Sequence, residues 1–231
     1  MILKGLQKLT LLDYPGKVAA TVFTGGCNMR CPFCHNAPLV LTPNAVESIS
    51  AEEFFAFLKK RQGILDGVCV TGGEPLLQAD FVRELFELCK KEGIHTALDT
   101  SGCIWNDKIE KLLSVTDLCL LDYKMTNDKD YLHYTRCEKA AVEHFLSELQ
   151  QRGIDTWLRQ VIVKGINDTV DSVKRLYEVA GAHDCVKKVE LLKFRKLCAP
   201  KYENLGIEFP FRNIPETSAA DIQRLLDALN K

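Results

Sequence analysis

Residues 25–36 read Gly25-Gly26-Cys27-Asn28-Met29-Arg30-Cys31-Pro32-Phe33-Cys34-His35-Asn36, with three cysteines at i, i+4 and i+7. A short loop at this spacing can turn three thiolates toward one centre, and soft thiolates favour zinc, copper(I) or an iron–sulfur cluster. Structural zinc wants a fourth ligand. His35 is near, but it adjoins Cys34 and would need an awkward turn. Three thiolates on a four-iron cube leave one iron open to a ligand. Ordinary reduced cysteines are the remaining alternative, against which stand the tight spacing and the small or turn-forming Gly25, Gly26, Asn28 and Pro32.

Working outward from this loop, apolar runs alternate with helix-period segments. Runs at 18–24, 67–71, 94–99, 117–123, 156–163 and 186–192 read as strands. Segments 51–61, 80–91, 107–113, 139–152, 169–180 and 218–229 read as helices. Ser50 followed by Glu53 predicts a capping box, Gly93 and Gly153 predict helix stops, and Asp168 is a candidate cap. Strand then helix, about six times, is the pattern of parallel βαβ units. The near-continuous apolar strands predict burial on both faces. Two architectures remain open: a doubly wound sheet, or a curved TIM-like sheet with fewer than eight units, since eight usually need about 250 residues.

Polar residues gather just after the predicted strands. Cys27, Cys31 and Cys34 follow the first, and Gly72, Gly73 and Glu74 the second. The third ends in Asp99, Thr100 and Ser101, and the fourth in Asp122 and Lys124; Arg159 lies within the fifth, and Arg195 follows the sixth. In either parallel architecture these groups would converge at the C-terminal strand edge, where such sheets bind ligands.

Composition excludes several classes. The 231 residues are 46% hydrophobic and 26% charged, ample for a core and consistent with one domain over 1–231. There is no repeat, no Pro- or Ser-rich linker and no low-complexity tail. Ten cysteines in a chain this long, unevenly spread, do not make a disulfide miniprotein. No apolar run reaches the roughly 18–20 residues of a membrane helix, and residues 1–20 do not read as a signal peptide. A net charge of −1 gives no basic field for nucleic acid. A reducing, cytoplasmic setting and a monomer are expected. Cys69, Cys89 and Cys119 read as core and Cys103, Cys137, Cys185 and Cys198 as candidates for exposure, and no two of the seven have ligand-pair spacing.

The motifs carry a resemblance. Cys27–Cys34 is similar to the CxxxCxxC signature of the radical S-adenosylmethionine (SAM) enzymes. The segments DYPG (Asp13–Gly16), VFTGGCNMRCPFCHN (Val22–Asn36), VTGGEPLLQ (Val70–Gln78), DTSG (Asp99–Gly102) and LLDYK (Leu120–Lys124) resemble the glycyl-radical-enzyme activating enzymes, the pyruvate formate-lyase type above all. The resemblance covers nearly the whole chain. It implies an incomplete TIM-like (β/α)6 partial barrel, the radical SAM fold, with a short N-terminal extension (1–16) and the cluster loop (25–36). It implies a [4Fe–4S] cluster on Cys27, Cys31 and Cys34, S-adenosylmethionine on the open iron, a glycyl-radical enzyme as protein substrate, and reduced flavodoxin or ferredoxin as electron donor.

The same resemblance distributes roles. Phe33 would pack near the adenine, and Gly72, Gly73 and Glu74 would meet the methionine amino group, the glycines allowing close backbone approach. Asp99, Thr100 and Asp122 make a hard, oxygen-rich set where the family holds a monovalent cation. Lys124 would face the ligand's carboxylate. Arg159, a charge in an apolar strand, needs a partner and would face the ligand. Arg195 stands in LLKFR (Leu191–Arg195), where many activating enzymes carry a histidine, so its contact with the ligand departs from the pattern.

Three alternatives accompany this reading. LQKLTLLDYPG also resembles activators of the anaerobic ribonucleotide reductase, although here the chain runs on through a sixth strand and LGIEF (Leu205–Phe209). A tRNA-modifying radical enzyme would want a basic surface, against Lys+Arg 30 and Asp+Glu 31. A zinc-binding adaptor without catalysis would show zinc and no brown absorbance. A ferredoxin-like insertion is not expected, since 37–50 contains no cysteine.

Overall fold

The computed structural model describes residues 3–11, 13–14 and 16–229. Pro15 of the DYPG motif, and Met1, Ile2 and Leu12 of the N-terminal extension, lie outside the described residues, as do Asn230 and Lys231. The chain forms two compact units. The first comprises Met1–Asn28, Pro38–Thr100 and Ile104–Leu120; the second comprises Met29–Ala37, Ser101–Cys103 and Leu121–Lys231.

In the first unit, strands β1 (Gly5–Thr10), β2 (Ala19–Thr24), β3 (Gly67–Gly72), β4 (His95–Thr100) and the start of β5 (Leu118–Asp122) hydrogen-bond in chain order. β1 runs antiparallel to β2, which pairs in parallel with β3, and β3 with β4. After the short helix α1 (Ala37–Leu41), helices α2 (Ala51–Lys60), α3 (Ala79–Lys91) and α4 (Asp107–Leu113) make the crossovers. The end of β5, β6 (Asp155–Ile162) and β7 (Val186–Lys193) continue the order in the second unit, with β6 and β7 parallel.

This order decides between the two architectures. A doubly wound sheet reverses its strand order at a switch point. Here each new strand is added beside the last, as in a (β/α) barrel, from β2 to β7. β1 was not expected. It is a half-exposed edge strand of six residues, too short for its alternation to stand out.

Local signals explain most boundaries. Ser50 Oγ accepts from the Glu53 amide at 3.1 Å while the Glu53 carboxylate accepts from the Ser50 amide at 2.9 Å, the expected capping box, worth about 1 kcal/mol. Asn106 caps α4, and α6 (Lys139–Arg152) ends on left-handed Gly153. The expected cap of α7 (Val170–Gly181) is corrected. Thr169 caps it through the Ser172 amide, because Asp168 Oδ1 is engaged by the Gly165 amide at 2.8 Å.

β3 and β5 are buried runs, as predicted. β6 instead alternates, and the edge strand β7 is half exposed, so burial on both faces does not hold there. In the second unit, Ile162 of β6, Val173 of α7 and Leu225 of α9 (Ala219–Leu229) form a core, with Leu191, Ile222 and Leu229 packed against it. Each fully buried leucine contributes about 1.5–3 kcal/mol. No helix among the described residues is long and apolar enough to cross a membrane.

Candidate active site

The first unit carries Cys27, the Gly72–Glu74 motif, Asp99 and Thr100. Parallel pairing of β2 and β3 ends at Thr24 opposite Gly72, and the ladder continues past the strands. The Gly73 amide donates to the Thr24 carbonyl at 3.0 Å and the Glu74 amide to the Gly26 carbonyl at 2.8 Å. Gln78 Nε2 adds a bond to the Gly25 carbonyl at 2.9 Å. Glycine is required here by backbone against backbone. A Cβ on Gly73 would overlap the Gly26 carbonyl, and Gly72 sits at φ +123° with a Cβ position against the Thr24 backbone. The motif therefore braces the start of the cysteine loop.

Glu74 is 1% exposed. Its Oε1 accepts from the Thr100 hydroxyl at 2.5 Å and from the Leu76 amide at 3.0 Å, which starts the 3₁₀ turn Pro75–Gln78. Asp99 Oδ2 accepts from the Thr71 hydroxyl at 2.9 Å. The β3 and β4 ends are thus tied by two side-chain bonds, and the Thr100 proton points to Glu74.

The second unit carries Cys31, Phe33, Cys34, Asp122, Lys124, Arg159 and Arg195. Its part of the cysteine loop is anchored at several points. The Arg30 amide donates to the Thr135 carbonyl at 3.0 Å, at the end of α5 (Asp128–Thr135). Phe33 is buried, 5.9 Å from Phe211 between ring centres. The Tyr202 hydroxyl donates to the Cys34 carbonyl at 3.1 Å, and Lys201 Nζ to the His35 carbonyl at 2.8 Å, both from α8 (Ala199–Asn204). Burial pushes the Cys34 thiol up, opposed by the Asn36 amide and by Lys124, Lys201 and Arg30. Burial also pulls His35 below its ordinary value, against the Arg195 carbonyl that it meets at 3.0 Å and with Lys201 and Lys124.

Lys124 Nζ and Asp122 Oδ2 form an ion pair at 2.5 Å. Burial disfavours the Asp122 carboxylate, but Lys124 and Arg159 outweigh it and hold the carboxyl below the usual range. Arg159 has a partner within the unit, Glu190, at 3.7 Å. Arg195 is exposed, with its Nε 3.1 Å from Glu216 Oε2. The oxygen-rich set is divided between the units, Asp99 and Thr100 in the first and Asp122 in the second. The anchors Lys201, Tyr202 and Phe211 were not singled out from sequence.

None of the ten cysteines is in a disulfide. Cys69, Cys89 and Cys119 are buried as expected, and Cys185 and Cys198 are buried too, contrary to the expected exposure, while Cys27, Cys31, Cys34, Cys103 and Cys137 are half-buried. Among the described residues no three His, Cys, Asp or Glu side chains form a ready-made single-ion site.

The profile of the radical SAM superfamily matches residues 21–179. The chain belongs to the radical SAM superfamily. It is 35% identical to the pyruvate formate-lyase-activating enzyme of Clostridium pasteurianum, covering 90% of this chain and 88% of the relative. It is 33% identical to the pyruvate formate-lyase 1-activating enzyme of Escherichia coli K12, covering 95% and 91%. SuiB of Streptococcus suis bound to S-adenosylmethionine shares the fold at TM-score 0.69 and 14% identity, covering 90% of this chain and 45% of that one. A domain of a pyruvate-formate lyase-activating enzyme from Bacteroides vulgatus shares it at TM-score 0.58 and 18% identity, covering 71% and 92%. Membership in the superfamily implies a [4Fe–4S] cluster and S-adenosylmethionine. The donor chemistry fits: the chain offers three half-buried thiols within Gly25–Asn36, soft donors of the kind an iron–sulfur cluster takes.

Proposed function

We propose that this chain is a glycyl-radical-enzyme activase whose protein substrate is pyruvate formate-lyase. The observation that carries the reading is the 35% identity to an activating enzyme of that name across 90% of this chain. When bound, the cluster supplies the electron that cleaves S-adenosylmethionine, so that a Cα hydrogen can be taken from one glycine of the partner.

Cys27, Cys31 and Cys34 hold the cluster in this reading. Gly72 and Gly73 keep side chains away from the Glu74 backbone, which meets the ligand's amino group. Lys124 supplies a positive charge for the ligand's carboxylate, shared with Asp122. Asp99, Thr100 and Asp122 provide the oxygens for a monovalent cation. Phe33 and Arg159 complete the ligand's surroundings, and Arg195 contributes from the end of β7. The protein's work is orientation and exclusion of water around a reactive centre. Reduced flavodoxin or ferredoxin delivers the electron, in the cytoplasm, to a monomer.

The test reconstitutes the protein anaerobically and supplies dithionite or reduced flavodoxin, S-adenosylmethionine and a candidate partner. A glycyl EPR doublet on pyruvate formate-lyase is the expected result. A doublet on the anaerobic ribonucleotide reductase instead, with none on pyruvate formate-lyase, reverses the choice of partner.

A further inference from the structure

In the second unit, the segment between β7 and α8 lies against the cysteine loop. His35 Nε2 meets the Arg195 carbonyl at 3.0 Å, and Lys201 Nζ reaches the His35 carbonyl at 2.8 Å and Asn36 Oδ1 at 3.2 Å. The Tyr202 hydroxyl holds the Cys34 carbonyl at 3.1 Å. These contacts hold the Arg195 backbone and the start of α8 against Cys34–Asn36, and Lys196 and Leu197 lie in the stretch between those two anchors.

Leu197 is 72% exposed. A lone exposed leucine is ordinary, but this one sits among cations. Arg195 and Lys196 precede it and Lys201 follows. Lys196 Nζ donates to the Arg212 carbonyl at 2.5 Å, which adds a further guanidinium. Arg30 is exposed on the loop itself, and its amide is tied to the Thr135 carbonyl at 3.0 Å. Glu216 pairs with Arg195 at 3.1 Å and Glu208 with Arg212 at 3.0 Å. With Glu203, three carboxylates stand against the five cations Arg30, Arg195, Lys196, Lys201 and Arg212. The local balance is +2 in a chain whose total is −1.

We propose that this rim is the docking surface for an acidic one-electron carrier protein, with Leu197 as its apolar anchor. The proposal rests on the reading of Cys34 as a cluster ligand. Electron transfer falls steeply with distance, so a carrier must dock where a ligand of the acceptor lies beside the surface. Opposite charge steers such an encounter, and an apolar contact inside a polar rim holds it. The step is one electron: the carrier is oxidised by one, the cluster reduced by one, and no bond or proton moves.

The experiment compares Leu197→Asp, the milder Leu197→Ser and Lys196→Glu with the wild-type holoenzyme. Stopped-flow absorbance follows cluster reduction by reduced flavodoxin or by dithionite, and titration with oxidised flavodoxin gives the Kd. The expected result is binding and flavodoxin-driven reduction weakened about tenfold in Leu197→Asp and Lys196→Glu, a charge effect that shrinks as salt rises. Dithionite reduction stays unchanged, as does Leu9→Asp, another exposed leucine in the first unit. Unchanged flavodoxin kinetics would overturn the proposal. So would equal slowing with dithionite, which means damage to the loop, or a loss confined to glycyl-radical formation, which assigns the surface to the large partner. Failure of the wild type to cleave S-adenosylmethionine with dithionite counts against the activase reading instead, and is scored separately.

Discussion

The Thr100 hydroxyl donates to Glu74 Oε1 at 2.5 Å, and both residues are buried. The bond joins the Gly72–Glu74 motif to the end of β4. Removing a donor from a buried carboxylate costs about 1–3 kcal/mol, because the acceptor is left under-satisfied. Thr100→Val should lower the unfolding free energy by that amount, while Thr100→Ser, which keeps the hydroxyl, stays near wild type. Urea denaturation measures both, and a valine variant as stable as wild type would remove the bond from the account.

The glycines of the same motif make a sharper contrast. A Cβ on Gly73 would overlap the Gly26 carbonyl, and backbone cannot swing aside as a side-chain tip can. Overpacking of this kind costs about 1–3 kcal/mol or more. Gly63 sits at φ +76° with nothing within 4 Å of its Cβ position, so an alanine there meets only backbone strain, about 1–2 kcal/mol. Gly73→Ala should therefore lose cluster loading as well as stability, because the cysteine loop starts at Gly26. Gly63→Ala should lose stability alone. Iron content and melting temperature, taken together, separate the two.

Legibility in the sequence followed the range of the signal. The helices 107–113 and 139–152 are found at their expected bounds because periodicity and flanking residues, such as Gly153 after α6, act within a few residues. Strand order was open, since periodicity says nothing of which strand lies beside which. It is settled by pairings such as Thr24 with Gly72. The Gly73–Gly26 contact is invisible in sequence for the same reason: the pattern shows glycines that leave room for a ligand, and only the pairing shows that they also leave room for each other. The anchoring of Cys34 by Tyr202 spans 168 positions, and no local pattern announces it. Asp168 and Thr169 both have capping side chains, and only the turn at Gly165, which engages Asp168, decides that Thr169 is the cap.

At the opposite ends of these strands, Asp117 Oδ2 accepts from the Thr96 amide at 2.9 Å and the Thr96 hydroxyl at 3.1 Å, while Oδ1 pairs with Lys90. His95 lies 3.7 Å from Asp117 and also meets the Tyr14 hydroxyl. Burial works against the Asp117 carboxylate, but Lys90, the Thr96 amide and His95 prevail and depress its pKa. A depressed carboxyl contributes stability that is present above its unfolded pKa and lost as pH falls through the folded one. Asp117→Asn should thus melt below wild type at pH 7, and the gap should close below about pH 4, as the wild type takes up its proton. Melting curves from pH 7 to pH 3 check the sign; a gap that widens in acid would contradict it.

The cysteines divide by burial, and the division predicts their chemistry. Cys119 is fully buried in β5, and Cys31 is half-buried in the loop. Cys119→Ala removes a small apolar group from a packed strand and should cost stability, about 1 kcal/mol on the scale of one buried methylene, with the brown absorbance of the reconstituted protein intact. Cys31→Ala should leave the melting temperature of the cluster-free protein near wild type, since a half-buried thiol contributes little packing. It should abolish both the visible spectrum and S-adenosylmethionine cleavage. Iron and sulfide analysis of the two variants side by side is the measurement. Four irons retained in Cys31→Ala would take the loop out of the cluster site, whereas their loss from Cys119→Ala would mean that a core cysteine had been misassigned.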